Sequence, residues 1–331
     1  MSHGDDEAND ALRMQPAPGS ERRPIQLADS FARARDILAA LVRNTRDGDT
    51  LIVATDNNGF PVTQKVIARR GETLPHALVI GRHNRCALTI PGDSRVSLRH
   101  ILLTARYGAN QVRLRGYDLG GRAGIVLADG KRVPGFSALD HVALTFGYTG
   151  MFVLPGGRIG DNLLEGTVDQ AFRRITGISP DGDGVRLARS AMAEPSVAQI
   201  GGYRPAHVEA RPRSWGVLRL RSLKGKPDRD NQRTLEVDEE QLNRGLLIGR
   251  YSDRCSLAGA GRNLSRVHAL VTRDGSSSAL LVYDLASTNG VRPGPETEGP
   301  SHAVVRLRQD DPVMLGHFEL SWLPAPELNL H

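Results

Sequence analysis

The strongest constraint in this sequence is that four short blocks occur twice, in the same order. Each block of the first half recurs about 168 residues later in the 331-residue chain. The pairs are VIGRHNRCALTI and LIGRYSDRCSLAG, SRVSLRHILL and GRNLSRVHALV, YDLGGRAG and YDLASTNG, and ALDHVALTFG and RQDDPVMLG. A repeat of this length predicts two copies of one domain, because solenoid repeats recur every 20–50 residues or so.

Period-two alternation of apolar and polar residues marks the segments around these blocks. The stretches HVALTF at 141–146 and HFELSW at 317–322 are examples. Alternation of this kind gives a strand with one face on a core. Short strands separated by turns rich in Gly, Asn and Asp are typical of a β-sandwich. We therefore predict an all-β protein with two β-sandwich domains of roughly 100 residues each.

The segment DSFARARDILAALVRN, which starts at Asp29, breaks the strand pattern. Its apolar residues at helical spacing are Phe31, Ala34, Leu38, Leu41 and Val42. Asp29 or Ser30 could cap the start of such a helix. The apolar stripe could pack on the first sandwich, or it could serve docking or self-association.

Composition shifts divide the rest of the chain. Residues 157–212 are rich in Gly, Pro and small residues without a sustained period, which predicts a flexible linker, partly helical at its start. The expected divisions are a disordered tail at 1–24, a helix at 25–48, sandwiches at 49–156 and 213–324, this linker, and a tail at 325–331.

Composition also limits the possible functions. No apolar run reaches the roughly 18 residues of a membrane span, and the first residues lack a signal-peptide core, so a cytoplasmic location is expected. Cys86 and Cys255 are expected to be buried free thiols, and no metal-binding spacing or cofactor motif occurs. The net charge of +6 comes from arginines spread along the chain, which suits either nucleic acid or phosphorylated and acidic peptides.

Taken together, the blocks Gly-Arg, Ser-x-x-His, Asn-Gly and a closing Leu-Gly resemble the forkhead-associated (FHA) domain. The resemblance covers about residues 50–155 and 215–324, and all four blocks occur in order in both halves, although the first half lacks the Asn of Asn-Gly. It implies a β-sandwich of about eleven strands in each copy. It also implies that loops at one end of the sandwich bind phosphothreonine peptides.

The resemblance implies a complete ligand set in the second copy: Arg250, Ser265, Arg266, Thr288 and Asn289. The chemistry agrees, because a phosphothreonine carries about −1.5 to −2 charges and strong acceptor oxygens. The planar guanidinium of Arg250 can bond two of these oxygens, and Ser265, Arg266 and Thr288 add donors. The amide of Asn289 can both donate to and accept from a peptide backbone.

The resemblance also implies that His268 is structural, and Gly249 and Gly290 are expected to serve the turns rather than the ligand. The alternative is that Ser265 and His268 act as a nucleophile and its base. They lie three residues apart, without a Gly-x-Ser-x-Gly elbow or a supporting carboxylate, so we expect no enzymatic activity.

The first copy keeps only part of the ligand set. Arg82, Ser97 and His100 occupy the positions of the phosphate cation, the hydroxyl and the structural His. Leu98 follows the Ser where the second copy has an Arg, although Arg99 comes next.

The loop DLGGRAG departs further from the pattern. Arg122 replaces Thr288 and Ala123 replaces Asn289, and an alanine side chain cannot bond a peptide backbone. The first copy is then weak, altered or purely structural. In the alternative reading, Arg122 supplies a substitute cation to a weak anion site, which would consist of Arg82, Ser97, Arg99 and Arg122.

The sequence thus predicts a non-catalytic adaptor that docks threonine-phosphorylated proteins, substrates of a serine/threonine kinase, on its second sandwich. No small-molecule substrate or cofactor is expected. Two alternatives remain open: a structural scaffold within a larger assembly such as a secretion apparatus, and a basic regulator associated with nucleic acid. Against the latter, the sequence contains no helix-turn-helix, zinc module or aromatic stacking set.

Overall fold

The computed structural model describes seven ranges of the chain: 26–69, 73–176, 191–193, 214–223, 232–275, 277–294 and 300–325. The expected N-terminal tail at 1–24, most of the linker and nearly all of the C-terminal tail lie outside these ranges. No helix in the described part of the chain is long and apolar enough to cross a membrane.

The first half forms a β-sandwich of two mainly antiparallel sheets. Its strands are β1 (Thr50–Thr55), β2 (Pro61–Ile67), β3 (His76–Gly81), β4 (Leu88–Thr89), β5 (Ile101–Tyr107), β6 (Val112–Asp118), β7 (Ile125–Leu127), β8 (Arg132–Val133), β9 (Gly135–Leu139), β10 (Val142–Phe146) and β11 (Thr149–Pro155). One sheet has the order β2-β1-β11-β10-β7-β8 and the other β9-β6-β5-β3-β4, where the short β4 pairs parallel to β3. A further strand, β12 (Ala191–Ala193), pairs with β9.

Three helices accompany this sandwich: α1 (Leu27–Arg43), α2 (Gly157–Leu164) and α3 (Val168–Thr176). The apolar stripe of α1 packs on the outer face of β1 and β11, and α3 packs beside it. Phe31 lies at the centre of this contact, with ring centroids 5.9 Å from Phe152 and 5.6 Å from Phe172. The helix thus packs its apolar stripe on the first sandwich, which was the first of the two alternatives that the sequence left open.

The expected cap of α1 was wrong. The helix starts earlier, with Gln26 as N-cap and no side-chain cap, because Leu27 is itself buried in the contact with the sheet. Ser30 lies inside the helix, where its hydroxyl is 2.9 Å from the hydroxyl of Thr55.

The helices change the burial of the sheet beneath them. We predicted one buried face for β10, yet all five of its residues are buried. Val142 and Leu144 face the core between the sheets, whereas Ala143 belongs to the cluster under the helices. The prediction was wrong here because α1 and α3 cover the face that alternation assigned to solvent.

We expect Phe31→Ala to lower the free energy of unfolding by about 3–5 kcal/mol, the usual cost of removing a fully buried phenyl ring. Urea denaturation of the full chain measures this loss. Asp36→Ala on the exposed side of the same helix is the control and should change stability by less than about 0.5 kcal/mol. Equal effects of the two substitutions would contradict docking of α1 on the sheet.

The second half forms a sandwich with the same order of strands. Its strands are β13 (Ser214–Ser222), β14 (Gln232–Asp238), β15 (Leu246–Gly249), β16 (Leu257–Ala258), β17 (Ala269–Arg273), β18 (Leu280–Asp284), β19 (Val291–Pro293), β20 (Val304–Leu307), β21 (Val313–Leu315) and β22 (Phe318–Pro324). The sheets run β14-β13-β22-β21-β19 and β16-β15-β17-β18-β20. A short helix of six residues, α4 (Glu239–Arg244), starts with a capping box between Asp238 and Gln241.

The prediction of an all-β fold with two sandwiches is confirmed by these four sheets. The alternation predicted for β22 is present, since Phe318, Leu320 and Trp322 are buried and the residues between them are half-buried. The described residues contain eleven strands in the first sandwich, apart from β12, and ten in the second.

The two sandwiches pack against each other through equivalent sheets, a contact that the sequence analysis did not anticipate. One apolar cluster, which we call the domain interface, combines Val79, Cys86, Leu102, Tyr117 and Leu119 with Leu247, Cys255, Leu270, Leu281, Tyr283 and Leu285. Most of its members occupy equivalent positions in the two copies, as Leu102 and Leu270 do. A signal was present, because β5 and β18 begin with continuous apolar runs, which indicate strands buried on both faces.

Both cysteines are unpaired and lie in the domain interface. The Sγ atom of Cys86 is 3.2 Å from the carbonyl oxygen of Leu98, and that of Cys255 is 3.4 Å from the carbonyl oxygen of Arg266. Burial raises the pKa of Cys255 to about 11, so this thiol stays protonated near neutral pH.

An ion-pair network crosses the domain interface at one edge. Asp274 of the second sandwich accepts hydrogen bonds from Arg106 of the first, at 2.6 Å, and from Arg306, at 2.7 Å. Burial would raise the pKa of this carboxyl, but the hydrogen bonds from the two guanidinium groups outweigh it, and the pKa lies below its usual value. The ionised carboxylate therefore stabilises the folded pair of sandwiches.

We expect Asp274→Asn to lower the free energy of unfolding by about 1–2 kcal/mol at pH 7, the lower part of the range for charged hydrogen bonds, since Arg106 is partly exposed. A depressed carboxyl pKa contributes stability that is complete above about 3.9 and is lost as pH falls through the folded value. The difference between variant and wild type should therefore shrink towards pH 3.

Urea denaturation at both pH values measures this effect. Glu319→Gln removes the surface pair with Arg221 within the second sandwich and serves as the control. It should change stability by less than about 1 kcal/mol. A difference between Asp274→Asn and wild type that stayed constant down to pH 3 would rule out the ionised carboxylate as the cause.

Candidate functional site

Three loops at one end of the second sandwich bring most of the predicted ligand residues together. They follow β15, β16 and β18. The backbone N–H of Arg250 donates to the carbonyl oxygen of Ser265 at 2.9 Å, and the N–H of Thr288 donates to the hydroxyl oxygen of Ser265 at 3.0 Å. Ser265 thus connects the other two loops, and Asn289 follows directly on the third.

The buried ring of His268 connects the second and third of these loops. It is fully buried, and Nδ1 accepts a hydrogen bond of 3.1 Å from the backbone N–H of Ser265. Nε2 must then carry the proton, which it donates to the carbonyl oxygen of Gly290 at 3.0 Å. Burial lowers the pKa of His268, so the ring is neutral. Neither nitrogen contacts the hydroxyl of Ser265, so the ring is not placed to act as its base.

Two glycines allow the loops to approach each other. A Cβ atom on Gly249 would collide with the carbonyl oxygen of Arg266, so the first two loops could not lie as close with any other residue. Gly290 has φ +70°, a left-handed conformation that other residues rarely adopt, and a Cβ there would collide with Ser301.

Asn289 is already engaged within the site. Its Nδ2 donates to the carbonyl oxygen of Asn263 at 2.7 Å, which fixes the side chain against the second loop. The amide retains its second N–H and its oxygen, for which the described residues offer no partner. One donor and one acceptor thus remain for a ligand.

The cations of these loops have no anionic partner in the part of the chain that the structure describes. Among the described residues, Arg250, Arg254 and Arg266 form no ion pair, and all three are exposed. The guanidinium of Arg266 lies over the ring of Tyr251, 5.7 Å from its centroid. The donors predicted from the sequence therefore lie at a positively charged end of the sandwich, and this end is suited to bind an anion.

Residues 246–316 match the family model of the FHA domain. The matched segment runs from β15 to the residue after β21 and includes all three loops. A search among curated proteins found no match to this chain.

Several solved structures resemble the chain over about a third of its length. The FHA domain of the CT664 protein from Chlamydia trachomatis is 18% identical with a TM-score of 0.27, and the match covers 33% of this chain and 99% of that one. The Slr1951 protein from Synechocystis sp. is 18% identical with a TM-score of 0.26, over 34% of this chain and 99% of that one.

EmbR from Mycobacterium tuberculosis, solved in complex with a low affinity phosphopeptide, is 22% identical with a TM-score of 0.25. That match covers 33% of this chain and 25% of the EmbR chain.

The first sandwich repeats the scaffold of the matched FHA segment with fewer donors. His100 accepts from the N–H of Ser97 at 3.0 Å, and its Nε2 lies 3.3 Å from the carbonyl oxygen of Gly124. The N–H of Arg82 donates to the carbonyl oxygen of Ser97 at 3.0 Å. Ala123 offers no side-chain donor at the position of Asn289, so this copy lacks the amide that the FHA segment keeps.

The structure separates the four residues proposed for a weak anion site in the first sandwich. Arg82, Ser97 and Arg99 line one cleft, which Arg122 does not reach. Arg122 is exposed, and its carbonyl oxygen accepts a hydrogen bond of 2.7 Å from Arg132. Arg122 is thus not placed to act as the substitute cation beside the other three.

The first sandwich also supports the third loop of the FHA segment, which sequence reasoning missed. Nη2 of Arg99 donates to the carbonyl oxygen of Ala286 at 2.7 Å, and Nη1 of Arg85 donates to that of Ser287 at 3.1 Å. Ala286 has φ +54°, unusual for a residue with a Cβ. The equivalent residue of the first copy is Gly120, with φ +84°. Nothing in the sequence around Arg85 or Arg99 distinguishes these contacts from ordinary surface arginines.

We expect the stability of the FHA segment to fall as pH decreases below about 6.5, the ordinary pKa of histidine. The folded protein keeps His268 neutral, so the unfolded chain binds a proton more readily in this range. Between pH 6.5 and the folded pKa, stability should fall by up to about 1.4 kcal/mol per pH unit, the slope for uptake of one proton.

Urea denaturation of the full chain between pH 8 and pH 5 measures this dependence. His268→Asn should lower stability at pH 8 and flatten the pH dependence. His302→Asn, at an exposed position, should leave both unchanged. An unchanged pH dependence in His268→Asn would contradict the assignment of the titrating ring.

Proposed function

We propose that the second sandwich binds phosphothreonine peptides and that the chain is a non-catalytic adaptor in serine/threonine kinase signalling. The observation that carries this proposal is the group of cations, without an ion pair among the described residues, and oriented donors on three loops, two of which the ring of His268 connects. The match of residues 246–316 to the FHA family model supports it, since FHA domains are phosphopeptide-recognition modules without enzymatic activity.

Each donor has a separate role in holding the ligand. The exposed guanidinium of Arg250 can bond two phosphate oxygens at once. The hydroxyl oxygen of Ser265 accepts from the N–H of Thr288, so its proton is left to donate to a phosphate oxygen. The hydroxyl of Thr288 is exposed beside it and adds a further donor.

Asn289 would hold the peptide rather than the phosphate. Its remaining N–H and its oxygen can bond the ligand backbone on one donor and one acceptor, which requires no particular ligand side chain. The bond to Asn263 fixes the amide beforehand, so less conformational entropy is lost on binding.

We also infer that the first sandwich is a degenerate copy of the same domain. The equivalent strand order and the equivalent bonds of His100 and His268 support this inference. Its ligand set lacks the amide of Asn289, so it does not bind a phosphothreonine peptide in the same way.

We expect Arg250→Ala to weaken binding of phosphothreonine peptides by about 10- to 150-fold, which corresponds to the roughly 1.5–3 kcal/mol of a charged hydrogen bond. Titration of the full chain with a phosphothreonine peptide library, followed by fluorescence anisotropy, measures this loss. Arg308→Ala removes the same charge just after β20, at the end of the sandwich away from the site, and is the matched control.

Two results would contradict the proposed function. One is equal affinity of the wild-type chain for phosphorylated and unphosphorylated peptides. The other is equal loss of affinity in Arg250→Ala and Arg308→Ala, since this would indicate that net charge alone attracts the peptide.

A further inference from the structure

A cleft of about 240 Å³ lies where the two sandwiches meet, beside the candidate phosphothreonine site. The residues of the first sandwich that matter here are Arg82, Ser97 and Arg99. The second sandwich contributes Arg254 and Arg266. The residues that line the cleft thus include one with a hydroxyl group and four arginines, two from each copy. Among the described residues that line it, none is acidic.

No ion pair within the described ranges neutralises the arginines that line this cleft. Arg82 donates to the carbonyl oxygen of Val96 and Arg99 to that of Ala286, so both are oriented by neutral groups. The described residues supply no ion pair to any of the four arginines. The Nε of Arg99 is buried without a hydrogen-bond partner in the described part of the chain.

The arginines also crowd one another. Burial lowers the pKa of Arg99, and the like charges of Arg266 and Arg85 lower it further, although Asp284 acts in the opposite direction. A bound anion would relieve this repulsion. A cluster of cations in a cleft without a carboxylate among the lining residues creates a positive potential that attracts a phosphate or another strong anion.

The composition of the cleft accounts for the pattern of loss in the first copy. That copy keeps the cation and the hydroxyl of a phosphate site, Arg82 and Ser97, but has Leu98 and Ala123 at the next two ligand positions. Arg254 and Arg266 of the second sandwich face the same cleft. Two arginines of the second sandwich thus lie beside the cation and the hydroxyl that the first copy keeps.

We propose that this cleft is a second phosphate site, built jointly by the two sandwiches, and that it receives a second phosphorylated residue of the peptide bound at Arg250. The proposal rests on the proposed function for the choice of ligand. The two sites are contiguous, because Arg266 directly follows Ser265 in the chain and Tyr251, which also lines the cleft, directly follows Arg250. A peptide anchored at the first site therefore passes the second within a few residues.

The test compares peptides with one phosphothreonine and peptides with two, separated by two to eight residues, on the full chain. At the favourable spacing the second phosphate should raise affinity at least about 10-fold, because the second contact is then intramolecular. Arg82→Ala and Ser97→Ala should abolish this gain and leave the affinity for the singly phosphorylated peptide unchanged. Both residues are at least partly exposed, and thermal unfolding verifies that the variants fold.

Further measurements distinguish failure of the cleft proposal from failure of the proposed function. If the wild type binds singly phosphorylated peptides but gains nothing from a second phosphate at any spacing, the cleft proposal is wrong and the proposed function stands. If the wild type binds no phosphopeptide, titration with inorganic phosphate, followed by NMR of the Arg side chains, tests the cleft alone. Signals that shift in the wild type and not in Arg82→Ala would support an anion site, whereas unchanged signals would overturn it.

The chemical class of the ligand has its own control. A peptide with glutamate in place of the second phosphothreonine should lose most of the gain, because a carboxylate offers less charge and fewer acceptor oxygens than a phosphate. An equal gain with glutamate would overturn the assignment of a phosphate site.

Discussion

One apolar contact, the burial of equivalent sheet faces of the two sandwiches against each other, determines how the rest of this molecule is arranged. The domain interface contains Leu102 and Leu270 with less than 1% of their surface exposed, so separating the sandwiches would expose both to water. Each such side chain contributes on the order of 1.5–3 kcal/mol when buried. Because this contact fixes the two sandwiches together, Arg85 and Arg99 reach the carbonyl groups of a loop in the other copy.

The hydrogen bonds from the first sandwich to the third loop help to explain the backbone conformation of Ala286, which the second sandwich alone would stabilise less well. Ala286 has a positive φ, a conformation that costs a non-glycine residue free energy and that its counterpart Gly120 adopts more easily. The hydrogen bond from Arg99 to its carbonyl oxygen offsets part of this cost. The loop that carries Thr288 and Asn289 therefore depends on residues of both copies.

Much of the fold followed from local rules. The alternation in β22 and the helical spacing of Phe31 and Leu38 each reflect a contact within one sandwich, so the sequence could predict them. The two-domain arrangement followed from the repetition of the four blocks. The structural role expected for His268 came from the resemblance to the FHA domain, and in the structure both ring nitrogens are bonded within the loops.

Features that depend on the meeting of two elements were missed. Burial of both faces of β10 requires α1 and α3, and the cleft between Arg82 and Arg254 requires both sandwiches. The apolar run at the start of β5 indicated two buried faces but could not indicate which surface would cover the second one. Side chains such as Arg99, whose partner lies 187 residues away in the chain, carry no local signal at all.

The equivalence of the two faces in the domain interface has a consequence for how the copies can change. Two separate, identical chains that met through these faces would form a two-fold symmetric pair, in which every substitution alters both sides at once. Within a single polypeptide the same substitution alters one side, so an alanine at position 123 leaves Asn289 at the equivalent position unaffected. One chain with two sandwiches can therefore carry different side chains at equivalent positions of its two loops, which a homodimer of identical chains cannot.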